Sequence, residues 1–202
     1  MTTESTNPAW PYLVFAEQLE AGLAARADAI TAYRHDVPTT TAVAGDPVDE
    51  FHRQLEVSGV IVSRLQDIFA PTAVVAAFGD ATHPSHEDGI RHIADQLTAL
   101  YGDLINWARA TLGLEVPAEY QLIAQALAHF VRKPIRQIEE FCADVRRRAD
   151  IINADLAAGR PPSTNFSLSL ALAPDPLDVA ALNGAMAPFT QTKHRGLFGR
   201  RK

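Results

Sequence analysis

Four long stretches of the chain repeat apolar residues every three or four positions, which is the spacing of one helical face. They run from Pro11 to His35, from Pro47 to Phe69, from His86 to Leu112 and from Pro117 to Ala158. A helix of about 24 residues is roughly 36 Å long, and four such helices can bury their apolar faces against one another. The pattern predicts an all-α, up-and-down bundle of four to five long helices.

A helix cap, a proline and three glycines refine the predicted helix boundaries and contacts. Asp46 precedes the second stretch, where its carboxylate can accept hydrogen bonds from the first helical turn. Pro134 lies inside the fourth stretch and cannot donate a backbone hydrogen bond, so we expect a kink or a break into two helices. Three glycines inside the stretches predict close helix–helix approach, because each would otherwise only destabilise its helix. They are Gly22, Gly59 and Gly102.

The pattern changes after Gly159. Polar and apolar residues alternate from Asn165 to Leu172, which is typical of a half-buried strand. One strand cannot form a sheet alone, so this segment lies along the helices, pairs with a second copy, or is not a strand. A short helix is predicted from Pro176 to about Ala187. Together, these features define a C-terminal extension to the bundle.

The chain is therefore divided into three parts. The first is a helical bundle domain, and the second contains a linker, the strand-like segment and the short helix, packed on the bundle or on a partner. The third is a basic tail that we expect to be disordered. Their ranges are 1–159, 160–192 and 193–202.

Composition narrows the function classes. The 202 residues are 47% hydrophobic and 21% charged, as in ordinary globular proteins. The one cysteine, Cys142, excludes a disulfide framework and lies on an apolar stripe. No run approaches the roughly 20 apolar residues of a transmembrane helix, and the N-terminus lacks a secretory signal pattern. We expect a cytoplasmic protein without a transmembrane segment.

Common catalytic signatures are missing. The sequence contains none of the glycine-rich or nucleophile motifs of hydrolases, phosphate-binding loops and dinucleotide-binding folds, so it predicts no catalytic residue. A di-iron bundle requires two Glu-x-x-His pairs, and the chain has none. Neither a metal nor another cofactor is therefore predicted. The weak candidates for metal ligands are His52, Glu56, His92 and His129.

Charge is unevenly distributed. Residues 1–130 carry a net charge of −11, whereas residues 131–202 carry +5. A basic face on the fourth stretch could bind an anion or an acidic partner. Alternatively, the basic side chains form ion pairs with acidic neighbours inside the bundle, worth up to about 1 kcal/mol each. The residues of this face are Arg132, Lys133, Arg136, Arg146, Arg147 and Arg148.

The tail carries five of the formal positive charges of residues 131–202. It suits weak contact with an anionic surface, although two apolar side chains are too few for stable membrane anchoring. The pI of about 5.6 and the absence of a nucleic-acid-binding motif argue against a dedicated nucleic-acid binder. The basic residues of the tail are Lys193, Arg195, Arg200, Arg201 and Lys202.

These observations favour a non-enzymatic interaction or regulatory protein that contacts a protein partner or a second copy of itself. One alternative is a metal-dependent or small-molecule-acting helical enzyme that uses His52, His92 and His129. Another alternative is a helical domain that senses an apolar ligand between its helices.

Overall fold

Helices account for all the regular secondary structure in the described parts of the chain. The computed structural model describes residues 10–39, 45–68, 85–161 and 170–195. The helices are α1 (Trp10–Ala24), α2 (Ala27–Arg34), α3 (Pro47–Ile68), α4 (Ser85–Leu112), α5 (Ala118–His129), α6 (Arg132–Ala157) and α7 (Pro176–Arg195). The predicted all-α class is therefore confirmed. Among these helices, none is long and apolar enough to cross a membrane.

Helix α4 is the central element of the bundle, and it contacts α1, α2, α3, α5 and α6. Helix α1 also packs on α6, where the rings of Phe15 and Phe141 meet edge to face with centroids 6.0 Å apart. The apolar stripe predicted for α4 is buried along the helix, at Ile90, Leu97, Leu100, Tyr101, Leu104 and Ala108. The helices thus bury their apolar faces against one another.

The first predicted helix, Pro11–His35, is divided into α1 and α2. At the division, the Arg26 N–H donates to the Leu23 carbonyl at 3.0 Å, so the chain leaves the α-helical hydrogen-bond pattern. The Arg26 guanidinium donates to the Gly22 carbonyl at 2.8 Å and satisfies an acceptor at the end of α1. No proline or glycine lies at this turn, and the apolar spacing continues through it. The sequence pattern therefore predicted one helix.

The fourth predicted helix is also divided, as the proline inside it indicated. Helix α5 ends at His129 and α6 begins at Arg132. Pro134 is the third residue of α6, where a missing N–H removes no helical hydrogen bond. The predicted break into two helices is confirmed. It precedes the proline because proline fits the first turn of a helix better than its interior.

Helix α3 begins at its predicted cap. The Asp46 carboxylate accepts a hydrogen bond from the Val48 N–H at 2.9 Å, which confirms its N-cap role. Farther along α3, the ring of Phe51 lies 5.6 Å from the ring of Tyr120 on α5. Tyr120 in turn stacks on Phe189 of α7 at 5.0 Å. This row of three rings joins α3, α5 and α7.

The interior glycines differ in what surrounds them. A Cβ atom on Gly22 of α1 would lie 2.6 Å from Oγ1 of Thr98 on α4, which confirms the predicted close helix approach. A Cβ atom on Gly102 would instead meet the side chain of Arg26, at 2.5 Å from Nε. The surroundings of Gly59 lie outside the described residues.

The C-terminal extension lies on the bundle where it is described. The side-chain amide of Gln137 donates to the Ala171 carbonyl at 3.0 Å and accepts from the Ala173 N–H at 3.2 Å. The two leucines of this segment pack against the helical core. The described end of the predicted strand therefore lies along α6 without forming a strand, whereas residues 165–169 lie outside the described residues.

Helix α7 is longer than the short helix that the sequence predicted. It has 20 residues, continues through Pro188 and ends at Arg195. Two basic residues assigned to a disordered tail, Lys193 and Arg195, therefore belong to a helix. The other basic tail residues, 200–202, lie outside the described residues.

Helices α2 and α6 end in the same motif, in which a residue with positive φ follows the last turn. After α6 this residue is Gly159, with φ of 64°, and after α2 it is Asp36, with φ of 52°. The Gly159 N–H donates to the Leu156 carbonyl at 3.0 Å, and the Arg160 N–H donates to the Asp155 carbonyl at 2.9 Å. This pair of bonds is the Schellman motif, which favours glycine at the positive-φ position.

The variant Gly159→Ala is expected to lower the free energy of unfolding by about 1–2 kcal/mol, because an L-residue is disfavoured at this φ. No heavy atom lies within 4 Å of the added Cβ, so the cost would be conformational. Gly184→Ala is the matched control, since this exposed glycine of α7 also has open space. Alanine should stabilise that helix by up to about 1 kcal/mol. Urea unfolding followed by circular dichroism tests both changes, and a loss of similar size in both variants would contradict the prediction.

Candidate anion-binding cleft

The basic residues of α6 form two groups with different surroundings. In the C-terminal group, Arg146 binds Glu20 of α1, with Nε 2.9 Å from Oε1. Arg147 and Arg148 both bind Asp144, one turn earlier on their own helix. Hydrogen bonds from these arginines hold the pKa values of Glu20 and Asp144 below their usual range. For this group the structure shows ion pairs with acidic neighbours, the alternative to a basic face that is open to an external anion.

A cleft of about 540 Å³ opens beside the C-terminal group. Its charged lining consists of two arginines and two carboxylates, so their formal charges cancel. The remaining lining is apolar, with Ile151 partly exposed. The lining of this cleft therefore carries no net positive charge. Its lining residues are Glu20, Ala143, Arg146, Arg147, Asp150, Ile151 and Ala154.

The N-terminal group borders a second cleft, between α2 and α6, with a volume of about 340 Å³. Three guanidinium groups and one carboxylate form its charged lining. Two of the three arginines, Arg132 and Arg136, were predicted as part of the basic face, and Lys133 lies next to them in sequence. We call this site the arginine cleft. Its lining residues are Ile30, Tyr33, Arg34, Arg132, Ile135, Arg136 and Glu139.

The floor of the arginine cleft is buried and rigidly anchored. Ile30 and Ile135 belong to the hydrophobic core, as does the ring of Tyr33. The Tyr33 hydroxyl donates to the Ala128 carbonyl at 2.9 Å. Burial raises the pKa of Tyr33, so this hydroxyl keeps its proton at neutral pH. The floor therefore fixes α2 against the junction of α5 and α6.

Arg34 is held in the cleft by a carboxylate that a buried residue orients. Arg34 Nη2 lies 2.8 and 2.7 Å from the two carboxylate oxygens of Glu139. The Tyr101 hydroxyl, from α4, donates to Oε1 of the same carboxylate at 2.7 Å. Burial and this hydrogen bond raise the pKa of Tyr101, which keeps the hydroxyl a donor. Arg34 thus has a fixed counter-ion.

The other two arginines have exposed partners at the rim of the cleft. Arg132 Nη2 lies 2.9 Å from Oδ1 of Asp36, and Arg136 Nε lies 3.5 Å from Oε1 of Glu140. The side chains of both carboxylates are more than half exposed, at 51% and 67%. Exposed ion pairs of this kind contribute about 0–1 kcal/mol. A bound anion could therefore replace the rim carboxylates at small cost.

The candidate metal ligands are dispersed over several helices. The ring of His52, on α3, lies 6.5 Å from the ring of Tyr120 at the start of α5. His129 is at the end of α5, about 13 Å farther along the helix, and its Nε2 lies 3.4 Å from Oδ1 of Asp36. His92 and Glu56 are exposed on α4 and α3.

His92 Nε2 lies 3.0 Å from Nε2 of Gln96, a neighbour on its own helix. In the described ranges, no three histidine, cysteine, aspartate or glutamate residues form a group that could hold a metal ion.

Cys142 is buried in the core, in agreement with its position on the apolar stripe. Burial raises the pKa of its thiol to about 11, so the reactive thiolate is scarce at neutral pH. This cysteine therefore behaves as a small core residue of α6.

Sequence reasoning missed three polar members of the arginine cleft, namely Tyr33, Arg34 and Glu139. Arg34 is about a hundred positions away from the α6 residues with which it shares the site. Its position is set by the turn between α1 and α2, which no feature of the sequence predicts.

Comparison of the chain with models of protein families, with curated proteins and with solved structures gives no match.

Proposed function

We propose that this protein is a non-enzymatic helical bundle that acts through protein–protein contact, and that the arginine cleft binds an acidic group of its partner. The observation that carries the proposal is the convergence of Arg34, Arg132 and Arg136, from two helices, on one cleft. Arginine suits this role because its planar fork of donors matches carboxylate and phosphate oxygens.

The rim geometry supports binding of an external anion. Of the three arginines that line the cleft, only Arg34 has a counter-ion that is oriented from the core. Arg132 and Arg136 keep exposed partners, and their own side chains are 45% and 62% exposed. Their donors can therefore turn to an incoming anion without uncovering a buried charge.

Binding of a fluorescein-labelled decapeptide of glutamates, followed by fluorescence anisotropy, tests this function. The double variant Arg132→Ala/Arg136→Ala is expected to weaken binding about tenfold, since two exposed charge pairs worth up to about 1 kcal/mol each together reach the roughly 1.4 kcal/mol that a tenfold change requires. Binding should also weaken when sodium chloride is raised from 50 to 300 mM, because added salt screens exposed charges.

Arg147→Ala is the matched control for this experiment. Arg147 is an exposed arginine of α6 that pairs with a carboxylate of its own helix, as Arg136 does, but it lies outside the arginine cleft. Its replacement should change the affinity less than twofold, roughly the effect of one exposed charge. Equal losses in the two variants, or the absence of peptide binding to the unaltered protein, would contradict the proposal.

A further inference from the structure

The arginine cleft has room for a side-chain-sized group. Its volume of about 340 Å³ lies at the lower end of the range of about 300–1,000 Å³ for small-molecule sites. Arg132 and Arg136 are four residues apart and therefore neighbours on one face of α6, while Arg34 approaches from α2. Three guanidinium groups that line one cleft suit a compact anion with several acceptor oxygens.

The two arginines at the rim together carry the charge that one bound dianion would balance. Arg132 and Arg136 are balanced by two separate carboxylates, those of Asp36 and Glu140. A phosphate monoester carries a charge of about −1.5 to −2 at pH 7 and three strong acceptor oxygens, so one such group can balance both arginines. A single carboxylate balances only one of them. The third arginine of the cleft keeps the counter-ion that the buried tyrosine orients.

We propose that the group bound in the arginine cleft is a phosphate monoester, carried by a phosphoserine or phosphothreonine of a protein partner. This inference rests on the proposed function, because it names the acidic group of that partner. The bound phosphate displaces the rim carboxylates Asp36 and Glu140 from Arg132 and Arg136. The two rim carboxylates therefore act as competitors of the ligand, and they lower its affinity.

Three labelled nonapeptides that differ only at the central residue test the ligand class by fluorescence anisotropy. The phosphoserine peptide is expected to bind about tenfold or more tightly than the glutamate peptide, and the serine peptide should bind most weakly. Inorganic phosphate is added as a competitor, and it should displace the phosphoserine peptide only at about a hundredfold higher concentration, because it lacks the peptide contacts. Displacement at equal concentrations would overturn the assignment to a protein-borne phosphate.

Replacing the rim carboxylates should tighten binding. A variant that failed to fold would lose binding instead, so the two outcomes can be distinguished. The double variant Asp36→Asn/Glu140→Gln is expected to tighten phosphoserine binding by about threefold or more, because it frees both arginines from weak competitors. Asparagine is suited to position 36, where φ is 52°, since it tolerates this conformation as aspartate does. Unchanged or weakened binding would overturn the inference.

The matched control removes two negative charges elsewhere. Glu115→Gln/Glu119→Gln has the same net charge, and both residues are exposed near the start of α5, the opposite end from His129. Equal tightening in the control would show a general effect of net charge and would overturn the role of the rim.

If the glutamate peptide binds through the cleft as tightly as the phosphoserine peptide does, the phosphate inference fails and the proposed function stands. If neither peptide binds, both fail.

Discussion

Replacing Leu97 by alanine is expected to lower the free energy of unfolding by about 2–5 kcal/mol, the cost of removing a large side chain from a well-packed core. Leu97 has 0% of its surface exposed and lies on α4, the helix that contacts α1, α2, α3, α5 and α6. A cavity at this position has little freedom to collapse, because neighbouring helices hold it on several sides. Urea unfolding followed by circular dichroism at 222 nm gives the free energy and the midpoint.

Leu122→Ala is the matched control, because the same atoms are removed from a side chain that is 69% exposed on α5. This control should change the free energy of unfolding by no more than about 0.5 kcal/mol, as is usual at the surface. A smaller loss at Leu97 than at Leu122 would show that α4 is not the buried centre of the bundle.

The sequence predicts α4 well because every local signal agrees there. Its apolar stripe has no interruption. The helix begins at Ser85, and Gly113 follows its last residue. Helix α6 is predicted almost as well, since Pro134 and Gly159 fix its two ends through backbone chemistry that the sequence displays. Proline fixes φ and lacks a backbone donor, whereas glycine tolerates positive φ, so the effect of each residue is local and can be predicted from the sequence.

The division between α1 and α2 could not be predicted in this way. It depends on a tightened turn and on the hydrogen bond from the Arg26 guanidinium to the Gly22 carbonyl. A guanidinium that caps a carbonyl has no distinctive spacing, and the apolar stripe continues across the turn. Helix α7 is longer than the predicted segment from Pro176 to about Ala187, because it continues through Pro188 and proline inside a helix is usually disfavoured.

Only part of the arginine cleft follows from the sequence. Arg132 and Arg136 are four residues apart, so helical periodicity alone places them on one face. The contributions of Arg34 and of the Tyr101 hydroxyl depend on how α2 and α4 approach α6, which is a tertiary contact. The net charge of a segment also does not show which of its charged side chains form ion pairs in the fold. The group around Arg146 is as basic in sequence as the N-terminal group is, but its carboxylate partners, Glu20 and Asp144, are less exposed than Asp36 and Glu140.

Replacing Gly22 by alanine is expected to lower the free energy of unfolding by about 1–3 kcal/mol, although alanine is the better helix former. The added Cβ would lie 2.6 Å from Oγ1 and 2.9 Å from Cβ of Thr98, which is buried on α4. Thr98 Oγ1 donates to the Ala94 carbonyl at 2.8 Å, so it cannot turn away without losing that bond. Helices α1 and α4 would therefore have to move apart.

Gly89→Ala is the control for this change, since its added Cβ has open space on an exposed part of α4 and should stabilise by up to about 1 kcal/mol. The double variant Gly22→Ala/Thr98→Ala removes the crowding atoms from the other helix. Its loss should be smaller than the sum of the two single losses by about 0.5–3 kcal/mol, as is usual for residues in direct contact. Strict additivity in this cycle would mean that the two positions do not touch, and the packing of α1 on α4 would then be wrong.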